Sequence, residues 1–203
     1  MKILLFGGTF DPIHRGHTKV AMHAAEQIGT EKIVFVPARR SPHKKFFSVA
    51  SGVERLEMIT LAIVGMDKFE VSDCELKRAQ PSYTLDTVRE FQAQYRDKAK
   101  ISWLVGADMV KDLPKWYKIN DLIDECNLSV MLRAGFEYPD FDEFEGVFGR
   151  QRVEKLKQNV ISTPLIDISS TEIRRKLACG ADVGDLVEMK VLNYIKTKEL
   201  YGS

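Results

Sequence analysis

Two histidines three positions apart, His14 and His17, stand just behind the pair Gly7-Gly8 in the segment GGTFDPIHRGH. The apolar run before it, Lys2-Ile3-Leu4-Leu5-Phe6, reads as a buried strand. The residues after it read as a helix that begins near Gly16, buries Val20, Ala21, Ala24, Ala25 and Ile28, and stops at Gly29. A strand, a glycine turn and a helix N-terminus make an anion site, because the N–H groups of the first helical turn and the positive end of the helix dipole converge there. The imidazoles add donors at the same mouth, each able to carry charge. The turn matches neither the dinucleotide fingerprint G-x-G-x-x-G nor the P-loop G-x-x-x-x-G-K-[ST]. Lysine is missing from the turn, and histidine stands where a cation is wanted. One histidine alone would read as a loop cap or a surface residue. The pair, the glycines and the turn-forming Asp11-Pro12 together read as a site for phosphate chemistry, with Asp11 a turn-former rather than a metal ligand.

A second cluster, Ile168-Ser169-Ser170-Thr171-Glu172-Ile173-Arg174, lies far downstream. Its S-x-x-E spacing is that of a capping box. Capping and anion binding draw on the same helix N–H groups, so both readings hold together. Arg174 adds a fixed cation that can reach a phosphate from the side opposite the histidines.

Positioning these clusters requires a scaffold, and the pattern supplies one. Apolar runs at Ile3 to Phe6, Ile33 to Val36, Phe69 to Val71, Ile101 to Val105, Leu128 to Leu132 and Val160-Ile161 read as strands. Between them, Val53, Leu56, Ile59, Ile63 and Val64 mark a helix within Ser51 to Val64. Leu85, Val88 and Phe91 mark another, with Ser82 or Thr84 as its N-cap. Thr171 to Leu177 and Asp185 to Ile195 read as closing helices, and Phe141 to Phe148 as an amphipathic surface helix. Strands alternating with helices imply an α/β fold: a doubly wound, mostly parallel sheet with a small C-terminal helical segment. Ligands of such sheets sit beyond the carboxyl ends of the strands. The Gly7 loop, the Ser41-Pro42-His43-Lys44 loop and the Gly106-Ala107-Asp108 turn are therefore expected to share one crevice.

At 203 residues the chain is expected to form one domain, 1–203. Its formal net charge of +1 provides no global field toward nucleic acid or an anionic membrane, so neither is expected as a partner. Local clusters must then hold an anionic substrate: Arg39-Arg40 with His43-Lys44-Lys45, and Arg174-Arg175-Lys176. Cys74, Cys126 and Cys179 lack metal-ligand spacing and point to a reducing compartment. No apolar stretch approaches the ~20 residues of a membrane span, and the chain opens on a strand rather than a signal peptide. Cytoplasm is the expected location.

GGTFDPIHRGH and Ile168 to Arg174 resemble the two halves of the signature of HxGH nucleotidylyltransferases, a superfamily that includes class I aminoacyl-tRNA synthetases. Pro42-His43-Lys44, Ser82-Tyr83-Thr84-x-Asp86-Thr87, Gly106-Ala107-Asp108, Leu113-Pro114-x-Trp116 and the ending Tyr194-Ile195 … Leu200-Tyr201 resemble the bacterial nicotinate-nucleotide adenylyltransferases in particular. That resemblance covers nearly the whole chain and is weakest from Ala134 to Asn159. It implies a Rossmann-like nucleotidylyltransferase fold and a reaction of ATP with nicotinate mononucleotide, giving nicotinate adenine dinucleotide and pyrophosphate for NAD biosynthesis. It also implies Mg²⁺ held mainly by the ATP phosphates. By the same resemblance His14, His17 and Arg174 are catalytic. Gly7, Gly8, Thr9, Phe10, Gly106, Asp108, Ile168, Ser169 and Ser170 join them around ATP. Thr9, His43, Lys44, Thr84, Trp116, Tyr117 and Arg133 hold the mononucleotide, with Trp116 stacked on the nicotinate ring.

The residue chemistry agrees with parts of this. A loop tryptophan beside Pro114 suits a stacking platform, with a core anchor as the alternative. Asp108 suits ribose hydroxyls better than phosphates, although a cap after the strand has similar weight. Tyr83 and Asp86 read as structural supports of Thr84. Two departures from the family stand out: Ser41 where a second proline is usual, and Val183 to Glu188 where an arginine-bearing segment is usual. Other HxGH adenylyltransferases, with phosphopantetheine or nicotinamide mononucleotide as acceptor, and a non-catalytic nucleotide-binding regulator are the alternatives. Homo-oligomerisation stays open.

Overall fold

The computed structural model describes residues 1–39, 49–79, 81–96, 98–132, 138–164 and 166–202. Six strands form one parallel sheet: β1 (Lys2–Gly8), β2 (Lys32–Pro37), β3 (Phe69–Val71), β4 (Lys100–Gly106), β5 (Asn127–Met131) and β6 (Val160–Ile161). Their order is β3-β2-β1-β4-β5-β6. The chain winds outward from β1 in one direction, then returns to β4 and winds outward in the other. The switch point therefore lies at the carboxyl ends of β1 and β4, where Gly7-Gly8 and Gly106 stand.

Strand alternation builds a core on each face. Leu4, Phe6, Ile33 and Phe35 point to one face, where they meet α1 (Arg15–Ile28), α2 (Gly52–Ala62), α8 (Ser170–Ala178) and α9 (Met189–Thr197). Ile3, Leu5, Val34 and Val36 point to the other, shared with α4 (Thr84–Gln94), α5 (Ile119–Glu125), α6 (Glu145–Phe148) and α7 (Arg150–Gln158). The short α3 (Cys74–Lys77) connects β3 to α4, and 3-10 turns span Ala107–Lys115, Asp142–Phe144 and Leu200–Gly202. Every expected strand is present, within a residue or two of its expected ends. Helix α1 ends as expected at Gly29, whose φ of 69° is the left-handed value a C-cap glycine adopts at no side-chain cost.

Four expectations change. In α2 the buried face is Arg55, Met58, Ile59 and Ala62, while Val53 is 74% exposed and Val64 lies beyond the helix end. The stripe starts on a cation, which an apolar count misses. Helix α4 is capped by Tyr83, with no side-chain bond, so neither Ser82 nor Thr84 is the N-cap. The Phe141 to Phe148 stretch is no surface helix: Phe141, Phe144 and Phe148 are buried and join the second core. The last helix begins at Met189 rather than Asp185. The carbonyls of Leu186 and Val187 accept from the backbone N–H and Nε of Arg15, at 2.9 and 3.2 Å, and so are unavailable to continue a helix.

Candidate active site

A cleft of about 620 Å³ opens at the switch point. It is lined from β1 and its loop by Gly7, Gly8, Thr9, Phe10, His14 and His17, and from β4 and its turn by Gly106 and Asp108. The C-terminal signature contributes Ile168, Ser169, Ser170 and Arg174, and a third wall holds Thr84, Trp116 and Tyr117. Thus the structure brings together every expected site residue that it describes. His43, Lys44 and Arg133 lie outside the described residues, as does the Ser41 to Lys44 loop.

Gly7 and Gly8 are held small by the rings behind them, whereas at Gly106 the nearest atom is the movable carboxylate end of Asp108. A Cβ on Gly7 would come within 2.1 Å of Cζ2 of Trp103, one on Gly8 within 2.8 Å of the Phe10 ring, and one on Gly106 within 2.2 Å of an Asp108 oxygen. Phe10 itself is 2% exposed and sits at φ 51°, a left-handed conformation costing a bulky residue about 1–3 kcal/mol. Its ring is held in T-shaped contacts with Phe6, Phe35 and His17, the last at 5.0 Å between centroids. Packing therefore fixes the loop's shape, and Phe10 supports His17 from below.

The loop's carbonyls are taken up by protein donors. Gly8 C=O accepts from Ala38 N–H at 2.9 Å, and Thr9 C=O from Arg55 Nη1 at 2.7 Å. Asp11 C=O accepts from Arg174 Nη1 at 2.7 Å, and Pro12 C=O from the Ser170 hydroxyl at 2.9 Å. An anion site must keep carbonyl dipoles occupied elsewhere, and four of this loop's carbonyls are so occupied. Arg55 is 1% exposed and also donates Nη2 to Ala38 C=O at 2.9 Å, clasping the ends of β1 and β2. Burial lowers its proton affinity, and neighbouring Asp11 and Tyr201 act in the opposite sense. The Asp11 carboxylate is spent on protein too, accepting from Val49 N–H, Ala50 N–H and the Tyr201 hydroxyl. It is a structural anchor, in keeping with the turn-forming reading.

At the helix mouth the His14 backbone N–H donates to Nδ1 of His17 at 3.3 Å. An accepting Nδ1 places the proton of the neutral ring on Nε2, the other ring nitrogen. Opposite, Ser169 caps α8, its hydroxyl accepting from Glu172 N–H at 3.1 Å. Arg174 spends one donor on Asp11 C=O and another on Thr171 Oγ1, which leaves three of its five N–H groups for a ligand. Two helix N-termini and three basic side chains thus border one cleft. A polyphosphate fits between them.

The far wall is aromatic. Trp116 is half-buried against the second core and also lines the cleft. Tyr117 stacks on Tyr83 with centroids 4.3 Å apart, just where α4 begins at Thr84.

A family model described as cytidylyltransferase-like matches residues 5–176. The chain is 38% identical over 203 residues to the probable nicotinate-nucleotide adenylyltransferase of Clostridium tetani, covering 98% of each chain. It is also 38% identical over 200 residues to the probable nicotinate-nucleotide adenylyltransferase of Neisseria meningitidis serogroup B, again covering 98% of each. The chain belongs to the nicotinate-nucleotide adenylyltransferase family. Its fold is that of the Plasmodium falciparum nicotinic acid mononucleotide adenylyltransferase complexed with NaAD, with a TM-score of 0.77 at 21% identity, covering 99% of this chain and 97% of that one.

This member of the family departs from the pattern at Val183 to Glu188, and the structure shows what the segment does instead. It receives a cation rather than supplying one, seating Arg15 through Leu186, Val187 and the Glu188 carboxylate, 3.4 Å away. Three residues of the site region escape motif reading: Arg55, Trp103 and Glu75. Glu75 is 4% exposed, lines the cleft and accepts from Thr87 Oγ1 at 2.7 Å. Burial raises its pKa above the usual carboxylate range, with Thr87 and Arg78 opposing.

Proposed function

We propose that this protein transfers the adenylyl group of ATP to nicotinate mononucleotide. A phosphate oxygen of the acceptor attacks the α-phosphorus as the bond from that phosphorus to the oxygen bridging to the β-phosphate breaks. Nicotinate adenine dinucleotide and pyrophosphate are the products. The observation that carries this reading is the cleft at the β1/β4 switch point, whose lining brings His14, His17 and Arg174 together. Such a reaction asks chiefly for positioning of two anions and stabilisation of charge on the leaving phosphates. His17 Nε2–H and the remaining donors of Arg174 suit that task.

Trp116 supports the choice of acceptor as a platform for an aromatic ring, and the N-terminal N–H groups of α4 near Thr84 suit its carboxylate. His43, Lys44 and Arg133 are assigned to the acceptor by family likeness alone. Mg²⁺ fits this site only as a companion of the substrate. Among the described residues no group of three or more metal-ligating side chains is assembled, and the Asp11 carboxylate is already bound by three protein donors. The ATP phosphates would supply most of its ligands, and the ion would neutralise their charge.

The test is pyrophosphate release from ATP and Mg²⁺ with nicotinate mononucleotide, nicotinamide mononucleotide and phosphopantetheine in parallel. The expected order puts nicotinate mononucleotide first by about tenfold or more, the size of one charged hydrogen bond. Preference for either other acceptor would overturn the assignment, and no turnover with any would leave a nucleotide-binding regulator.

A further inference from the structure

We infer that Tyr201, almost at the end of the chain, is a positioning residue for this reaction, acting through Asp11 on the loop that carries His14 and His17. The inference rests on the adenylyltransferase reading above. The Tyr201 hydroxyl donates to Asp11 Oδ1 at 2.6 Å, a buried bond between residues 190 positions apart. The same carboxylate accepts from Ala50 N–H at 3.1 Å on Oδ1 and from Val49 N–H at 2.7 Å on Oδ2. The Asp11 carbonyl seats Arg174. One residue, three positions before His14, thus joins the histidine loop, the approach to α2, the α8 guanidinium and the C-terminal turn.

The arrangement is costly to build, which argues against accident. Tyr201 is 8% exposed and holds φ at 63°, a left-handed conformation that bulky residues rarely adopt. Strain of this kind persists only where the surroundings over-determine it. Burial, followed by the bond to Asp11, raises the phenol pKa, so the hydroxyl stays a donor throughout the working pH range. Removing that oxygen leaves Asp11 with two backbone donors. The loop therefore persists, but Oδ1 loses its shortest bond, and the Asp11 carbonyl beneath Arg174 loses its fixed orientation. Misplacement of a catalytic group by about 1 Å costs on the order of a hundredfold in rate, so a partial shift should cost about tenfold.

The experiment is steady-state kinetics of Tyr201→Phe, alone and with Asp11→Asn, alongside thermal melting of each. Tyr201→Phe should lower kcat about tenfold, leave KM for ATP and for the mononucleotide within about twofold, and stay folded at the assay temperature. In the Asp11→Asn background it should add less than about twofold. Unchanged kcat in Tyr201→Phe, even with a lowered melting temperature, would show a purely structural role. Losses that multiply in the double variant would show that Tyr201 does not act through Asp11. If Asp11→Asn is too slow to assay, the split between kcat and KM in Tyr201→Phe decides alone. Wild-type turnover measured beside the variants separates failure of this inference from failure of the adenylyltransferase reading.

Discussion

The imidazoles of His14 and His17 lie face to face, with centroids 3.6 Å apart and planes inclined by 23°. A spacing of three residues at a helix start brings the two rings onto one side of the first turn. The backbone bond from His14 to Nδ1 of His17 then fixes the second ring's tautomer. His17→Ala should lower kcat by ~10²–10⁴-fold if Nε2–H serves the transition state. The fold should survive, because His17 is only half-buried. Circular dichroism and turnover on the same preparation check both halves; near-normal turnover would remove His17 from the mechanism.

Trp116 is the residue proposed to separate the two substrates. It lines the cleft, and stacking on an aromatic ring is worth roughly 1–3 kcal/mol. Trp116→Ala should therefore raise KM for the mononucleotide about tenfold or more and change KM for ATP far less. The Tyr83–Tyr117 stack does not involve it and should persist. Equal losses for both substrates would contradict a platform role.

Much of the site is legible in sequence because its parts are local. Gly7 to His17 and Ser169 to Arg174 each combine a turn or cap with charged side chains within about three turns of helix, a distance over which spacing alone fixes geometry. Strands were legible because buried runs at the centre of a parallel sheet are continuously apolar. Arg55 was not legible from apolar content, since its burial depends on two carbonyls, of Thr9 and Ala38, that lie just past the ends of β1 and β2. Its signal was positional: Arg55, Met58, Ile59 and Ala62 follow i, i+3, i+4, i+7, a complete buried stripe whose first member is charged. Trp103 behind Gly7 and Tyr201 beside Asp11 are pairings across the fold, and no local pattern encodes them.

Glu75 gives a pH signature. Burial raises its pKa, Glu90 adds to the rise, and Thr87, Arg78 and Ser82 offset part of it. Between the unfolded and the folded pKa, the folded state therefore holds a proton that the unfolded chain has released. Stability is unaffected at pH below the unfolded value, falls as pH rises between the two values, and stays reduced above the folded one. Glu75→Gln removes the titration and keeps an oxygen that can accept from Thr87. Its melting temperature relative to wild type should climb as pH rises above the ordinary glutamate range. A difference that is flat or falls with pH would show that Glu75 is ionised in the folded protein without cost.

Gly7 tests the packing behind the phosphate loop. The Cβ of Gly7→Ala would stand 2.1 and 2.5 Å from two carbons of the Trp103 indole, which is 5% exposed and belongs to the second core. A buried, rigid ring cannot yield as a flexible side chain does, so either β1 shifts or the indole leaves its place. Overpacking of this kind costs about 1–3 kcal/mol. Because Trp103 also lines the cleft, turnover should fall with stability. Gly146→Ala is the control: nothing lies within 4 Å of its added carbon, and α6 should gain about 0.5–1 kcal/mol from the better helix former. Shrinking the ring with Trp103→Phe should recover part of the loss in the Gly7→Ala background, while costing stability in the wild type. Chemical denaturation of the four proteins forms a double-mutant cycle. Losses that simply add would mean that the cost of Gly7→Ala does not come from the indole behind it.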